Sequence, residues 1–251
     1  MPKLTETQKQ RYLRQIIMED IGEEGQIKLA DSRVLVVGTG GLGSPILLYL
    51  SAAGVGTIGI VDHDLLEMSN LNRQIIHNSD GLGTPKAYSA AKAISKLNPD
   101  VKTRTIYEMI DEENVDDIIR DYDVVVNAVD NLETRYVVND ACLRARKPLI
   151  EGGVMGFNGM AMTVLPGNGP CFRCVFPNQV NKPKTGPKKP IGVLGAVPGI
   201  IGSIQALETI KVLLGKGEVL NGRVLMLDGL EMNFREVSVK QNPNCLCSKE
   251  I

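Results

Sequence analysis

The chain contains no tryptophan and only four phenylalanines, and aromatic residues make up 4% of its 251 positions. A surface that stacks bases needs exposed rings, so composition argues against a single-stranded nucleic-acid platform. Charge of one sign is missing too: 28 Lys plus Arg stand against 29 Asp plus Glu, a net charge of -1. That balance lacks the footprint of a nucleic-acid or anionic-membrane binder. No uninterrupted apolar run is long enough to span a bilayer, and no basic-then-apolar leader opens the chain at Met1. No nucleic acid and no membrane are therefore expected as partners, and the expected location is cytoplasmic. Histidine is scarce as well, with two residues, neither in an obvious nucleophile–base–acid set.

What is present is organised around residues 34–64. An apolar run, Val34-Leu35-Val36-Val37, leads into Gly38-Thr39-Gly40-Gly41-Leu42-Gly43. A helical pattern follows to Ala53, and then Thr57-Ile58-Gly59-Ile60-Val61-Asp62. Buried strand, glycine turn, helix and a second strand ending in an acid form a mononucleotide-binding βαβ unit. Gly38, Gly40, Gly41 and Gly43 let the backbone turn tightly and approach a phosphate, for which the free N–H groups at the helix start supply partial positive charge. Asp62 is placed to accept from ribose hydroxyls. A glycine turn alone also marks ordinary turns; the flanking strand, helix and acid make the reading specific.

The rest of the chain supports one α/β architecture. Thr5 and Gln8 are spaced as a capping box, and Tyr12, Leu13, Ile16 and Ile17 give an apolar stripe on an N-terminal helical segment, residues 1–30. Residues 31–153 alternate strand and helix, the pattern of a Rossmann-like, doubly wound, mostly parallel sheet. Within them a polar stretch, His63 to Gln74, reads as a ligand loop. Helices are expected over Lys86–Leu97, Asp111–Asp121 and Thr134–Arg146, and strands over Val101–Ile106, Asp123–Asp130 and Pro148–Gly153. The remainder, residues 154–251, reads as antiparallel strands over Gly159–Leu165 and Arg223–Val239 with a helix near Ile201–Leu214 between them. Residues 178–190, rich in Pro and Lys, read as a mobile crossover loop.

Several polar groups fall at one sheet edge: the amides of Gly40, Gly41 and Leu42, and the side chains of Asp62, Asn70, Arg73, Lys86 and Asp130. Asn70, Arg73 and Gln74 are within reach of a triphosphate there, and Asp64 and Asn131 flank the same edge. A nicotinamide-dependent oxidoreductase shares the glycine turn and Asp62 but has little use for several cations beside them. A reaction at a triphosphate needs them, because negative charge must be stabilised at the attacked phosphorus and the leaving group. Asp130 among cations is unfavourable unless it holds something positive, for which Mg²⁺ is the natural candidate.

Six segments together resemble the MoeB/ThiF/HesA family, the bacterial and archaeal relatives of ubiquitin-activating enzymes. They are residues 11–17 (RYLRQII), 38–43 (GTGGLG), 70–74 (NLNRQ), 83–86 (GTPK), 130–135 (DNLETR) and 202–208 (GSIQALE), and their order spans nearly the whole chain. The resemblance implies ATP-dependent adenylation of the C-terminal glycine of a ubiquitin-like sulfur-carrier protein, with release of pyrophosphate. It implies a homodimer in which Arg14 reaches into the partner's site, where an arginine on a terminal helix is otherwise most simply a solvated charge. It assigns ribose to Asp62, phosphates to Arg73 and Lys86, and magnesium to Asp130; Arg14, Arg73, Lys86 and Asp130 form the catalytic set it implies.

Such chemistry suits a histidine-poor chain. An α-carboxylate, with a pKa of roughly 3.5, is already ionised and needs no general base. The obstacle is repulsion between two anions, which cations and a metal relieve.

Cysteine supplies the second constellation. Cys142 sits in a helical pattern and reads as a small core residue, whereas Cys171 with Cys174 and Cys245 with Cys247 form two close pairs. In a cytoplasmic chain of this size such pairs suggest a metal site rather than disulfides. Cys171-x-x-Cys174 matches the first half of the family's structural zinc site, but Cys245-x-Cys247 is tighter than the usual C-x-x-C. The alternative is four thiols without metal. Some relatives also carry a cysteine in the crossover loop that links to the carrier; residues 185–191 (TGPKKPI) hold no thiol, so the reaction is expected to stop at the acyl-adenylate. No sulfurtransferase domain follows Ile251, so sulfur is expected to come from another protein. A third reading is a non-catalytic binder of a ubiquitin-like tail.

Overall fold

A computed structural model describes residues 3–177 and 192–248. The crossover loop expected at 178–190 lies outside the described residues.

Five parallel strands form the first part of the sheet: β1 (Arg33–Val37), β2 (Thr57–Val61), β3 (Lys102–Ile106), β4 (Val124–Asn127) and the start of β5 (Leu149–Met155). Three antiparallel strands, β6 (Asn158–Val164), β7 (Arg223–Asp228) and β8 (Asn233–Ser238), extend it. The order is β3-β2-β1-β4-β5-β6-β7-β8. The doubly wound, mostly parallel sheet with antiparallel strands after it is therefore as expected. β5 runs across residue 153 and pairs with both β4 and β6, so one continuous sheet joins the two compositional parts.

Strand period two explains how the core divides. Val34, Val36, Ile58 and Ile60 face one side, under α4 (Gly43–Ala53), α5 (Lys86–Leu97) and α9 (Ala196–Leu214). Leu35, Val37 and Val125 face the other, under α6 (Val115–Ile119) and α7 (Leu132–Arg144). Each fully buried Leu or Ile among them contributes roughly 1.5–3 kcal/mol. Cys142 lies in this second cluster, fully buried, and burial pushes its thiol pKa up, as suits an inert core residue.

Three differences from the expected elements are informative. The capping box at Thr5 and Gln8 is present, but the N-terminal segment breaks at Tyr12 into α1 (Glu6–Arg11) and α2 (Leu13–Ile16), followed by α3 (Gly22–Asp31). Of its apolar stripe only Tyr12 is buried; Leu13 is 54% and Ile17 63% exposed. The helix expected over Asp111–Asp121 is only Val115–Ile119, because Asp111 and Asn114 bond each other's backbone in a turn. The helix placed near Ile201 starts at Ala196 and becomes long and apolar enough to cross a membrane by length and composition. It packs instead on α4, β5 and β6, with Gln205, Glu208 and Thr209 buried along it.

Candidate functional site

The glycine turn connects β1 to α4, and two of its glycines are required by geometry. Gly38 has φ +95, and a Cβ there would meet Ala128 O at 3.0 Å; a Cβ on Gly43 would lie 2.0 Å from Gly38 O. The turn therefore presses against the segment that follows β4. Among the described residues, the N–H groups of Gly40, Gly41 and Leu42 have no acceptor, while Gly40 O accepts from Ser44 N and Oγ. Open donors at the start of an 11-residue helix make a cradle for an anion.

Asp62 follows β2 and is nearly buried. Its Oδ2 accepts from Thr39 N at 2.8 Å and Thr39 Oγ1 at 2.7 Å, and its Oδ1 from Asp64 N at 2.9 Å. The carboxylate thus ties the glycine turn to the loop beyond β2, with lone pairs left for a further donor. Lys86, at the start of α5 and 6% exposed, pairs through Nζ with Asp64 Oδ2 at 2.7 Å, and its N–H bonds Asp64 O. Asp62, Asp64 and Lys86 are consequently linked in one chain beside the turn.

The ligand loop folds back over it. Asn70 Oδ1 accepts from Glu67 N and caps a short 3₁₀ turn at Met68–Asn70. Arg73, two-way bonded to Ser69 O and Asn72 Oδ1, packs its stem towards Gly41 and Gly195. Gln74 is 4% exposed; a Cβ on Gly40 would lie 3.7 Å from its Nε2, and its Oε1 is buried with no hydrogen-bond partner. The Gln74 amide thus brings its donor nitrogen, not the unpartnered oxygen, to the side of the turn at Gly40.

Asp130 lies in the turn between β4 and α7. It is exposed and, among the described residues, makes no hydrogen bond or ion pair. Asn131 Oδ1 accepts from Thr134 N and caps α7. Arg14 is elsewhere: its neighbours Tyr12 and Gln15 contact Gly54 and Ala53, at the far end of α4 from the glycine turn. Eleven residues of helix separate those ends by roughly 16 Å. Within one chain, then, Asp62, Asp64, Asn70, Arg73, Gln74 and Lys86 are gathered around the turn and Asp130 follows the segment pressed against it, whereas Arg14 is not brought there.

Sequence reasoning missed a layer beneath these residues. His77 is buried, with Nε2 3.2 Å from Thr39 O and Nδ1 2.9 Å from Ser89 Oγ. A carbonyl only accepts, so Nε2 carries the proton, and burial lowers the ring's pKa. Arg135 and Glu151 form a buried ion pair at 3.1 Å, and Asn127 donates to the same carboxylate. Gln205 on α9 donates to Asn127 O and packs so closely on Gly152 that a Cβ there would lie 2.1 Å from its Oε1. The available signal was an acid, Glu151, inside an apolar strand directly after Leu149 and Ile150, where a charge needs a buried partner.

At the other side of α7, the Sγ atoms of Cys171, Cys174, Cys245 and Cys247 all lie within 4.8 Å of one another. Cys171 to Cys245 is 3.5 Å and Cys174 to Cys247 is 3.4 Å. Tetrahedral zinc with Zn–S bonds near 2.3 Å asks for sulfurs about 3.8 Å apart, so the donor set fits a structural zinc. Asn242 N and Gln241 Nε2 approach Cys174 Sγ and Cys247 Sγ, the outer contacts a thiolate site uses. The C-x-C spacing brings its two thiols into the cluster without difficulty.

The turn, its open donors and the acids at the strand ends define a doubly wound α/β protein with an anion-accepting edge. The chain belongs to the ThiF family, which it matches over residues 12–248. It is 48% identical over 243 residues to the SAMP-activating enzyme E1 of Haloferax volcanii, covering 96% of this chain and 89% of that protein. It is 46% identical over 250 residues to adenylyltransferase and sulfurtransferase MOCS3 of Drosophila sechellia, covering 99% of this chain but 55% of the relative. In fold it is similar to E. coli MccB solved with MccA-N7isoASN, with a TM-score of 0.85 at 21% identity over 96% of this chain and 75% of that one. The family resemblance read from the motifs is thereby borne out.

Proposed function

We propose that the protein adenylates the C-terminal carboxylate of a ubiquitin-like sulfur-carrier protein, using ATP and releasing pyrophosphate. One observation carries this reading: a cradle of open N–H groups is flanked by a nearly buried lysine and by an exposed aspartate with no partner among the described residues. Anionic phosphates satisfy the first two, and a cation satisfies the third. The names of the relatives, an activating enzyme and an adenylyltransferase, support it.

The reaction asks little proton transfer of the chain. The attacking carboxylate is ionised at neutral pH, and the work lies in holding two anions together. The turn amides and Arg73 bind phosphate oxygens, Lys86 follows the charge that develops on the leaving pyrophosphate, and Asp62 orients the ribose. Asp130 would hold Mg²⁺, which supplies charge neutralisation on the phosphates. Arg14 would complete the site of a second copy in a homodimer. With no thiol in residues 185–191, the acyl-adenylate is the end product of this chain. The four-cysteine cluster would hold a structural zinc, and a metal site built of cysteines, beside the buried thiol of Cys142, fits a cytoplasmic protein.

The test is pyrophosphate exchange into ATP with purified candidate carriers. Exchange is expected only with a carrier whose C-terminal glycine is intact; exchange with none of them, or protection of the fold by NAD rather than ATP, would overturn the proposal.

A further inference from the structure

We propose that Arg135 and Glu151 are positioning residues for Asp130: with Asn127 they close a ring of side chains around Val129 and so fix the peptide plane that carries Asp130. The inference rests on the reading of Asp130 as the magnesium-holding residue.

The ring has four links. Val129 N donates to Asn127 Oδ1 at 3.5 Å, the outer limit of a hydrogen bond; Asn127 Nδ2 donates to Glu151 Oε1 at 2.8 Å. Arg135 Nη1 donates to Glu151 Oε2 at 3.1 Å, and Arg135 Nη2 returns to Val129 O at 2.7 Å. Both polar backbone groups of Val129 are thus engaged. The carbonyl of Val129 belongs to the planar peptide unit that ends in the Cα of Asp130, so holding that oxygen holds the base of the Asp130 side chain. On its other side Asn131 is fixed as the cap of α7 by Thr134 N. Asp130 sits between two anchors, although its own carboxylate makes no hydrogen bond or ion pair among the described residues.

The ring is also registered to the nucleotide cradle. Gly38 lies so close that a Cβ on it would be 3.0 Å from Ala128 O and 3.4 Å from Val129 N, and Ala128 N donates to Val37 O at 2.8 Å. Gln205 reaches the same layer from α9, donating to Asn127 O at 2.9 Å. The Asp130 turn is therefore placed relative to the glycine turn by backbone contact, and its conformation is set by the ring.

Stability alone does not account for these residues. Glu151 is completely buried and Arg135 nearly so, and a buried ion pair roughly breaks even against apolar residues of the same volume. Burial dominates over Arg135 and Asn127 at Glu151, raising its pKa to about 7, so the pair is not an electrostatically cheap one. What the pair supplies that an apolar pair does not is a guanidinium fork with one arm on Glu151 and the other on Val129 O. A lysine, with a single ammonium, keeps the charge but not the fork.

The experiment measures metal binding rather than turnover. Mn²⁺ is titrated, by its electron paramagnetic resonance signal, onto the full-length protein saturated with a non-hydrolysable ATP analogue. Arg135→Lys is expected to weaken Mn²⁺ about tenfold, the scale of outer contacts to metal ligands, while binding of the metal-free analogue changes less than about twofold. Asp130→Ala weakens it as well, and the double variant is no weaker than Asp130→Ala alone, since Arg135 acts through Asp130. If Arg135→Lys melts out, the apolar pair Arg135→Met with Glu151→Leu removes both charges together and must show the same loss. Undiminished Mn²⁺ affinity in a folded Arg135 variant, alongside a loss in Asp130→Ala, overturns the positioning role and leaves the Asp130 reading standing. Additive losses overturn it too. Unchanged affinity in Asp130→Ala removes the magnesium reading, and this inference with it.

Discussion

Lys86 Nζ stands 2.7 Å from Asp64 Oδ2, a nearly buried ammonium facing a carboxylate whose side chain is 53% exposed. The two partners are unequal. A half-exposed carboxylate is well solvated without its partner, whereas a buried ammonium depends on an anion, whether Asp64 or an incoming phosphate. Lys86→Met is expected to lower kcat/KM for ATP in pyrophosphate exchange by on the order of 10²-fold with the fold intact. Asp64→Asn, which leaves the cation in place, is expected to cost less than about tenfold. A larger loss in the asparagine variant would place the important charge on Asp64.

Four thiols within 4.8 Å of one another bind the segment after β8 to the α8 turn (Phe172–Val175). Metal there would join two stretches of chain more than 70 residues apart. One zinc per chain is therefore expected by elemental analysis, and Cys247→Ser or chelation should lower the melting temperature while leaving ATP binding nearly unchanged. Purified protein lacking zinc, with an unchanged melt on adding it, would leave the cluster as four thiols.

The central architecture was legible because parallel strands buried on both faces read as continuous apolar runs, as at Val34–Val37 and Val124–Val126. Asp62 was legible for the same reason, since it ends such a run directly, whereas β4 stops at Asn127 and leaves Asp130 in the turn beyond it rather than at the strand end expected. The layer under them was not. Arg135 and Glu151 are 16 residues apart in sequence and meet only because α7 crosses back over β5, and local spacing carries no trace of that. The exposure of Leu13 and Ile17 was equally hidden, since an apolar stripe predicts burial without saying whether its own chain supplies the cover.

Glu151 gives the protein a pH signature. Its carboxyl, pushed up to about 7 by burial against an ordinary 4.5, keeps in the folded chain, between those two values, a proton that the unfolded chain has released, so that it faces Arg135 as a carboxylate only above about pH 7. The stability it contributes is fully present below about pH 4.5 and is lost as pH rises through about 7. Glu151→Gln removes that dependence. The variant should gain on the parent by on the order of 2 kcal/mol in unfolding free energy between pH 5 and 7.5, read from urea melts. Parallel curves for the two proteins would mean that Glu151 titrates normally.

Arg14 lies on a short helix at the far end of α4 from the glycine turn and, among the described residues, pairs with nothing. Around it Leu13, Ile17 and Met18 are about half exposed or more, an apolar surface left uncovered by the described residues. On the proposed reading, an arginine so placed serves a nucleotide held by another copy. Two inactive variants then complement each other: in a mixed dimer of Arg14→Ala and Asp130→Ala chains, one of the two sites receives an intact arginine from one chain and an intact aspartate from the other. Random reassortment of equal amounts makes about half the dimers mixed, each with one whole site, so exchange should recover to about a quarter of the parent rate. Recovery to that level after mixing and reannealing, with neither variant active alone, is the expected outcome. No recovery from chains shown to have exchanged would confine Arg14 to its own subunit and return it to the solvated charge it resembles in sequence.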